Sequence, residues 1–341
     1  MQYGKIVERA RTQIETHYHR PLRERLARAF LYRFILKDTA RLRRFARMLR
    51  LYQRSGLQAF ARRSGVLRLL RMDKVDALSP CIDRKFFSSE FGQVFAAEGE
   101  QRGRVAFHAG CIQQVAFSNL NRATIRLLQK NGIEVHVPAR QACCGALHAH
   151  AGLRDDAREL ARKNIEAMLA GSFDAIVTNA AGCGSTLKEY DDLLEGDTAY
   201  HQKSRAFVAK AKDISEYLFE VGLLAPKRKL QGRVAYQDAC HLLHGQKISS
   251  QPRELLRRVG AELVEMEHAD QCCGSAGTYN IAETELSLRI LDRKMLDIAA
   301  IAPEVVVTGN VGCQLQLRYG LSRAGSTMRV MHIVEALESC Y

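Results

Sequence analysis

The sequence predicts an α/β fold made of two pseudo-symmetric repeats with parallel sheets, preceded by a helical N-terminal segment. The first observation is a Cys-Cys-Gly triplet that occurs twice, at residues 143–145 and 272–274. The second is the spacing, because each triplet has a cysteine 32 positions before its first cysteine and another 39 or 40 positions after its second. The third is that short apolar segments alternate with amphipathic ones, which is typical of strands and helices in parallel sheets. The duplicated unit is longer than the roughly 20–50 residues of a solenoid repeat, which indicates a pair of units.

Residues 1–80 are predicted to form a basic helical segment, followed by an irregular connection at residues 81–102. Apolar residues recur at helical spacing from Leu22 to Tyr52, and Pro21 is well placed at a helix start. The segment contains 20 Lys and Arg but only 6 Asp and Glu, whereas the rest of the 341-residue chain contains 31 of each. The whole net charge of +14 therefore lies in this segment. It favours an acidic protein partner or an anionic membrane surface, and no nucleic-acid module accompanies it.

The two repeats, expected at residues 103–231 and 232–341, each alternate strands with helices and are expected to be Rossmann-like. Their flanks are duplicated as well, since Gly-Arg-Val-Ala-Phe at 103–107 returns as Gly-Arg-Val-Ala-Tyr at 232–236. Parallel sheets with right-handed crossovers carry their sites past the carboxyl ends of strands, where every motif cysteine falls. The four cysteines of one repeat are therefore expected to converge. We expect strands and helices, in chain order, at 104–107, 119–130, 133–137, 154–170 and 174–178, and then at 234–236, 252–259, 262–266, 282–299 and 305–308.

The composition is typical of a globular protein of the cytoplasm. Hydrophobic residues make up 47% of the chain, yet no segment reaches the roughly 18 consecutive apolar residues of a membrane span. The first residues, Met-Gln-Tyr-Gly-Lys, lack the apolar core of a secretory signal. Cytoplasmic thiols stay reduced, so patterned cysteines indicate metal binding or catalysis more than disulfides.

Four converging thiolates can serve three kinds of chemistry: an iron–sulfur cluster, a structural zinc ion, or a dithiol that cycles through a disulfide. Adjacent cysteines grip a single tetrahedral ion awkwardly, and structural zinc sites usually space paired cysteines by two or more residues. In a cluster, neighbouring thiolates can reach different irons, and a following glycine lets the chain turn sharply beneath the cofactor. The sequence therefore favours a cluster over a dithiol, and a dithiol over zinc.

The candidate metal ligands form two sets of four, and no catalytic residue and no flavin or nicotinamide fingerprint accompanies them. Cys81 and Cys340 have no counterpart in the other repeat and are expected to lie outside both sets. Four histidines neighbour ligand positions, and we expect packing or hydrogen-bonding roles for them: His108, His148, His241 and His244. The first cysteine set is Cys111, Cys143, Cys144 and Cys183, and the second cysteine set is Cys240, Cys272, Cys273 and Cys313.

This doubled pattern resembles the cysteine-rich CCG domain, which occurs in heterodisulfide reductase and in iron–sulfur subunits of several membrane-linked dehydrogenases. Three stretches of the second repeat resemble the glycolate oxidase (glycolate dehydrogenase) iron–sulfur subunit more narrowly. They are Asp-Ala-Cys-His-Leu-Leu-His-Gly-Gln-Lys at 238–247, Cys-Cys-Gly-Ser-Ala-Gly-Thr-Tyr at 272–279 and Val-Thr-Gly-Asn-Val-Gly-Cys-Gln-Leu-Gln at 307–316. The basic helices resemble that family more loosely.

The resemblance implies an iron–sulfur electron-transfer subunit of a flavin-dependent 2-hydroxy-acid dehydrogenase, most closely glycolate oxidase. It implies [4Fe-4S] or related clusters on the eight cysteines, FAD on a flavoprotein partner, and a quinone or similar acceptor. Such a chain would be an oxidoreductase subunit, cytoplasmic or held peripherally on the inner face of the cell membrane. Three alternatives stay open: a lactate dehydrogenase-type subunit, a thiol–disulfide reductase of the heterodisulfide reductase type, and a scaffold without a working cluster.

Two departures from the family patterns bear on these expectations. The heterodisulfide reductase pattern has another cysteine three positions past the last ligand, where this chain has Thr186 and Gln316. Each repeat thus offers four thiolates instead of five, which argues against disulfide-reducing chemistry. The glycolate oxidase pattern has two ferredoxin motifs before the cysteine-rich region, and this sequence contains neither; Gln2-Tyr3-Gly4 resembles the stretch after the second one. A ferredoxin-like segment or subunit is therefore an expected partner.

Overall fold

A computed structural model describes residues 3–70, 72–277 and 279–341. The strands of these residues form two sheets. The strands are β1 (Val94–Phe95), β2 (Gly103–His108), β3 (Ile133–His136), β4 (Ala175–Thr178), β5 (Ala211–Asp213), β6 (Arg233–Gln237), β7 (Glu262–Leu263), β8 (Val305–Thr308) and β9 (Arg329–His332). The first sheet has the order β1-β3-β2-β4-β5 and the second the order β7-β6-β8-β9.

Helices precede, connect and follow these strands. Before the first sheet lie α1 (Tyr3–His17), α2 (Leu22–Arg28), the π-helical segment π1 (Ala29–Leu36), α3 (Thr39–Arg54), α4 (Leu57–Arg63), α5 (Val66–Leu69) and α6 (Asp73–Leu78). The first repeat contains α7 (Gln113–Ala116), α8 (Ser118–Lys130), α9 (Ala146–His150), α10 (Arg154–Met168), α11 (Ala181–Leu187), α12 (Tyr190–Leu193), α13 (His201–Lys210) and α14 (Ile214–Val221). The second contains the π-helical segment π2 (His241–Gln246), α15 (Ser250–Arg258), α16 (Tyr279–Ala282), α17 (Thr284–Ile301), α18 (Val311–Arg323) and α19 (Ile333–Glu338).

The two sheets have the same internal arrangement, which confirms the predicted α/β fold with two pseudo-symmetric repeats. All neighbouring strands are parallel except β1, which pairs antiparallel with β3 at the edge of the first sheet. The register repeats as well, because Val105 pairs with Ala175 in the same way as Val234 pairs with Val305. The strand segment 305–308 was predicted to the residue, whereas the exact division into 1–80, 81–102, 103–231 and 232–341 stays a prediction.

Side chains alternate between the two faces of each central strand and so build separate cores. Val105 and Phe107 of β2 point to a core that the two repeats share, together with Val305 and Val307 of β8. Ala106 lies instead in a core with α9, α10 and the N-terminal helices. Successive strand residues face opposite sides of a sheet, and here both sets of side chains are buried. Each sheet is therefore covered on both faces, as is usual for parallel sheets.

The shared core is closed by a reciprocal arrangement of helices. The last helix of the first repeat, α14, packs against α15 of the second repeat, and α19 of the second packs against α8 of the first. Arg258 of α15 lies 5.3 Å over the Phe219 ring of α14, and Arg126 of α8 donates to Glu338 of α19 at 2.8 Å. The four helices form a layer between the two sheets.

Several elements differ from the sequence-based expectation. The connection at 81–102 is not wholly irregular, because it contains β1, a two-residue edge strand without apolar periodicity. The edge strands β5 of the first sheet and β9 of the second were not predicted, since each is short and pairs only with a strand distant in sequence. The predicted strand 262–266 shortens to β7, an edge strand paired over two residues.

The N-terminal segment is helical, as predicted, and only part of its apolar surface is buried. Ile35 and Leu42 pack against the first repeat in the same core as its cysteines. The stripe of Leu22, Leu26, Phe30 and Phe34 faces solvent instead, with exposed fractions between 47% and 68%. We call these four residues the outer stripe. Within the described residues, none of the helices combines the length and the hydrophobicity needed to cross a lipid bilayer.

Candidate metal centres

The first cysteine set lies at the carboxyl edge of the first sheet. Cys111 follows β2, Cys143 and Cys144 follow β3, and Cys183 lies in the first turn of α11 after β4. The chain reverses at each of these points because the next crossover helix begins there. Three strand ends therefore bring residues more than seventy positions apart in the sequence to one place, as expected.

The side chains of this set lie close to one another in a connected series. The Sγ atoms of Cys111 and Cys143 are 3.3 Å apart, which is far longer than the roughly 2.05 Å of a disulfide. Cys144 lies within hydrogen-bonding reach of Cys143 and of Cys183. All four cysteines are free thiols, and they form one connected group.

The second cysteine set repeats this arrangement. Cys272 lies within hydrogen-bonding reach of Cys240 and Cys273, and Cys273 within reach of Cys313. The backbone N–H of Gly274 donates to the Cys272 Sγ at 3.3 Å, and the Asn310 side chain donates to the Cys313 Sγ at 3.5 Å. Cys313 lies in the first turn of α18, where the positive end of the helix dipole favours a thiolate.

The thiol contacts shift acidity in the same direction in both sets. Hydrogen bonds from the neighbouring thiols hold the pKa of Cys143 well below its usual value, and they do the same for the pKa of Cys272. The hydrogen bond to that neighbour and burial raise the pKa of Cys111 and that of Cys240. In each pair of contacting thiols, negative charge is thus favoured on Cys143 over Cys111 and on Cys272 over Cys240.

This chemistry fits a polynuclear metal cofactor. Like charges at contact distance in a buried site cannot all ionise unless cations lie among them. Thiolates are the protein ligands of iron–sulfur clusters, and binding a cluster would supply those cations. No group of three or more His, Cys, Asp or Glu side chains in the described residues surrounds the position of a single metal ion.

The glycines after the two doublets turn the chain as the sequence predicted. Gly145 has φ +88° and Gly274 has φ +91°, in the left-handed region that side chains disfavour. A Cβ on Gly274 would lie only 2.5 Å from the Ser287 carbonyl oxygen. The turn therefore brings the doublet and the backbone of α17 into direct contact.

Polar residues that the sequence analysis missed hold the doublets in place. The Asn164 side chain donates to the Cys143 carbonyl at 2.9 Å, and the Tyr190 hydroxyl donates to the Cys144 carbonyl at 2.8 Å. In the second repeat, Ser287 donates to the Gly274 carbonyl at 2.8 Å. These residues stand singly in distant helices, so no local pattern marks them.

The neighbouring histidines are mostly structural. His108 bonds the Ala142 carbonyl at 3.2 Å, and Gln237 takes the corresponding place in the second repeat. His241 lies 5.6 Å from the ring of His150, between centroids, so it bridges from the second set toward the first repeat. His148 is fully buried beside Cys143, and His244 is exposed.

The two sets differ in their exposure. Cys111, Cys143 and Cys144 are at most 6% exposed and share a core with Tyr32 and Leu42 of the N-terminal segment. In the second set Cys240 and Cys272 are partly exposed, as is Cys183 of the first set, and the N-terminal segment reaches the second repeat through contacts of α6 with α16 and α18.

The two cysteines outside the sets differ in burial. Cys81 is exposed, and Cys340 is buried in the core that the repeats share, where its thiol bonds the Ala336 carbonyl at 3.5 Å. Gln2 and Thr278, which belong to stretches that carried the family resemblance, lie outside the described residues.

Two families match the sequence. The family described as "Cysteine-rich domain" matches residues 105–188 and 234–318, and the family described as "Glycolate oxidase iron-sulfur subunit, linker region" matches residues 23–78. The first family thus matches once in each repeat, and the second matches the basic helical segment.

Similar proteins carry related names. The chain is 40% identical to the "Probable glycolate oxidase iron-sulfur subunit" of Bacillus subtilis (strain 168), over 99% of this chain and 78% of that protein. It is 36% identical to the "Glycolate oxidase iron-sulfur subunit" of Escherichia coli (strain K12), over 69% of this chain and 57% of that protein. It is 30% identical to "Lactate utilization protein A" of Geobacillus sp. (strain WCH70), over 69% of this chain and 99% of that protein.

The fold resembles that of a solved structure. A hypothetical protein from Helicobacter pylori has a TM-score of 0.53 at 10% sequence identity, over 74% of this chain and 52% of that chain. At this level of identity the similarity concerns the fold alone.

Proposed function

The chain belongs to the family of glycolate oxidase iron–sulfur subunits, and from that premise we propose that it is the electron-transfer subunit of a dehydrogenase that oxidises glycolate to glyoxylate. The single observation that carries the proposal is the pair of cysteine sets, each gathered at the carboxyl edge of a sheet. The sulfur contact of 3.3 Å in the first set supports it most directly.

The residues that would hold the clusters are the four cysteines of each set. The family membership implies iron–sulfur clusters, and a [4Fe-4S] or related type suits four thiolates best. When bound, such a cluster accepts and releases single electrons. The chain's own residues supply the thiolates, exclude water from the first set through Tyr32 and Leu42, and hold the doublets through Asn164. Burial and hydrogen bonds to sulfur are the means by which they would set the potential.

The partner is a flavoprotein that holds FAD. Oxidation of glycolate to glyoxylate releases two electrons and two protons, and a flavin can take both electrons and release them singly. This sequence contains no flavin fingerprint, so the hydroxy acid reacts on the partner. A ferredoxin-like segment or subunit relays electrons onward to a quinone or similar acceptor.

The basic helical segment binds an anionic membrane surface. The outer stripe is apolar and exposed, and arginines flank it; the Arg41 guanidinium lies 4.5 Å over the ring of Phe34. An exposed apolar stripe with arginines on either side suits the boundary between lipid head groups and acyl chains. Each Lys or Arg near such a surface contributes about 1 kcal/mol.

A vesicle experiment tests the membrane contact. The chain should sediment with vesicles that contain phosphatidylglycerol but not with phosphatidylcholine alone, and binding should weaken as salt rises, because salt screens exposed charges. A double variant with Phe30→Ser and Phe34→Ser should bind the vesicles less. Leu296 is an exposed apolar residue of α17, so Leu296→Ser should leave vesicle binding unchanged. Equal binding by all three proteins would refute the contact. Absence of any vesicle binding would favour an acidic protein partner.

A second candidate function is thiol–disulfide chemistry. The close contact of Cys111 and Cys143, with the low pKa of Cys143, also suits a dithiol that is oxidised to a disulfide. The four-thiol count of each set and the family membership favour the cluster.

Anaerobic purification with iron and acid-labile sulfide analysis distinguishes the two. The wild-type chain should contain both elements and absorb visible light. Cys144→Ser and Cys273→Ser should each lower the iron content, because serine is a poor substitute for a thiolate. Cys340→Ser, which changes a buried cysteine outside both sets, should leave the iron content unchanged. Protein that takes up zinc but no iron and sulfide would contradict the proposal.

A further inference from the structure

Asn310 is the N-cap residue of α18, yet its side chain does not cap the helix. An asparagine at this position usually accepts a hydrogen bond from a backbone N–H of the first helical turn. Among the described residues no such bond forms, and Nδ2 of the side chain instead donates to the Cys313 Sγ at 3.5 Å. The side chain thus gives up a bond that stabilises the helix and makes one to a cysteine of the second set.

The Thr308 hydroxyl is a second donor beside the same cysteine. Thr308 ends β8 and is completely buried. Its hydroxyl lies within hydrogen-bonding reach of the Cys313 side chain and has no other partner in the described part of the chain. A buried hydroxyl without an acceptor is costly, whereas the sulfur of a metal-bound cysteine is a negatively charged acceptor.

The first repeat lacks both donors at the corresponding places. Ala180 takes the place of Asn310, three positions before the last cysteine of the set. Thr178 takes the place of Thr308, but its hydroxyl donates to the His108 carbonyl at 3.3 Å. The first repeat nevertheless places its last cysteine in the first turn of a helix, at the same edge of its sheet. The two donors are therefore not needed to build the repeat.

We propose that Thr308 and Asn310 are positioning residues that act through Cys313: both donate hydrogen bonds to its sulfur and thereby raise the reduction potential of the cluster in the second set. Reduction adds negative charge to a cluster and to its thiolate sulfurs, so a donor to sulfur stabilises the reduced state more than the oxidised one. The inference rests on the proposed function, because it requires a cluster in the second set.

The experiment uses the full chain with Cys143→Ser and Cys144→Ser, so that only the second set can hold a cluster. Iron and sulfide are measured in this anaerobically reconstituted parent, and its midpoint potential is determined by a redox titration monitored by EPR. Asn310→Ala installs the residue of the first repeat, and Thr308→Val replaces the hydroxyl by a methyl group of similar size. Each should lower the equilibrium constant for reduction about tenfold, which is about 59 mV for a one-electron couple.

Three matched variants separate the hydrogen bonds from a structural role. Asn310→Asp keeps the shape of the side chain and a preferred N-cap residue, but it removes the donor and adds a negative charge. It should lower the potential more than Asn310→Ala does. Thr308→Ser keeps a hydroxyl and should recover most of the potential that Thr308→Val loses. Thr178→Val removes the hydroxyl that bonds a carbonyl in the first repeat and should leave the potential unchanged.

Each outcome bears on one claim. Lower potentials in Asn310→Ala and Thr308→Val, at an unchanged iron and sulfide content, support the inference. Unchanged potentials in both overturn it and leave the proposed function intact, and a shift in only one overturns the role of the other residue. A potential as low in Thr308→Ser as in Thr308→Val overturns the role of the hydroxyl. If Asn310→Ala does not retain a cluster, Asn310→Asp decides the matter. Failure of both the unaltered chain and the parent to bind iron and sulfide overturns the proposed function, and the inference with it.

Discussion

Three glycines with nearly equal backbone conformations allow the cost of the doublet turn to be measured. Gly56, Gly145 and Gly274 have φ of +84°, +88° and +91°. A Cβ at Gly56 would meet nothing within 4 Å, whereas one at Gly145 would contact the Ala157 backbone at 3.4 Å. A Cβ at Gly274 would lie 2.5 Å from the Ser287 carbonyl oxygen. Alanine at the three positions therefore has the same backbone strain and different packing.

The magnitudes follow from two costs. The left-handed conformation costs alanine roughly 1–2 kcal/mol. The lower entropy of the unfolded alanine chain offsets about 0.4–1 kcal/mol of that cost. Gly56→Ala should thus lower the free energy of unfolding by about 1 kcal/mol, and Gly145→Ala by slightly more. Gly274→Ala must also displace the backbone of α17, and such overpacking costs about 1–3 kcal/mol. Its total loss should be about 2–4 kcal/mol.

Urea unfolding of the three variants under anaerobic conditions, followed by circular dichroism, measures these losses. The order of stability should be Gly56→Ala, then Gly145→Ala, then Gly274→Ala. Iron content should fall in the last variant, because the displaced turn carries Cys272 and Cys273. A Gly274→Ala loss no larger than that of Gly56→Ala would refute the argument that the turn and α17 are in forced contact.

Two further predictions concern buried polar groups. Burial lowers the pKa of His332 to about 4, below the roughly 6.5 of an unfolded chain. The folded state therefore binds fewer protons between these values, and the free energy of unfolding falls as pH drops from 6.5 towards 4. His332→Asn removes the titrating ring, and asparagine can still cap α19. Between pH 7 and pH 5, the free energy of unfolding of this variant should fall by about 2 kcal/mol less than that of the wild type, at about 1.4 kcal/mol for each pKa unit. Urea titrations at several pH values measure this difference, and parallel pH profiles of the two proteins would contradict it. Arg253 donates to both carboxylate oxygens of Asp238 at 2.8 Å, so Arg253→Met should cost about 3–5 kcal/mol by leaving that carboxylate unpaired. A double-mutant cycle with Asp238→Asn should recover most of this loss, and additive losses would show that the pair is not coupled.

The sequence was sufficient to predict the parts of the fold that local patterns determine. Strand β8 is a short continuous run of β-branched residues, helix α8 has apolar residues at helical spacing, and the duplicated intervals relate one repeat to the other. The convergence of each cysteine set followed from the rule that sites lie past the carboxyl ends of parallel strands.

The parts that depend on remote contacts could not be predicted. Strands β5 and β9 have three and four residues, and they are extended because they pair with β4 and β8. The periodicity of the N-terminal helices gave the apolar face of each helix but not what covers it, so the exposure of the outer stripe required the structure. The engagement of His148 by Tyr32 joins residues 116 positions apart in the sequence, and no spacing rule connects them.

The reciprocal packing of α14 on α15 and of α19 on α8 makes the two repeats depend on each other for their stability. Neither half has a complete interior, because the closing helix of each is seated on the other. A single unit would have to pair with a second copy of itself to cover the same surfaces, and a symmetric homodimer would satisfy both closing helices at once. Joining two such genes end to end replaces an encounter between separate molecules by one within the chain, at a high effective concentration. Such a fused pair also frees each copy to change alone, as Gln237 at the place of His108 illustrates. Severing the chain between β5 and β6 should accordingly yield fragments that reassociate.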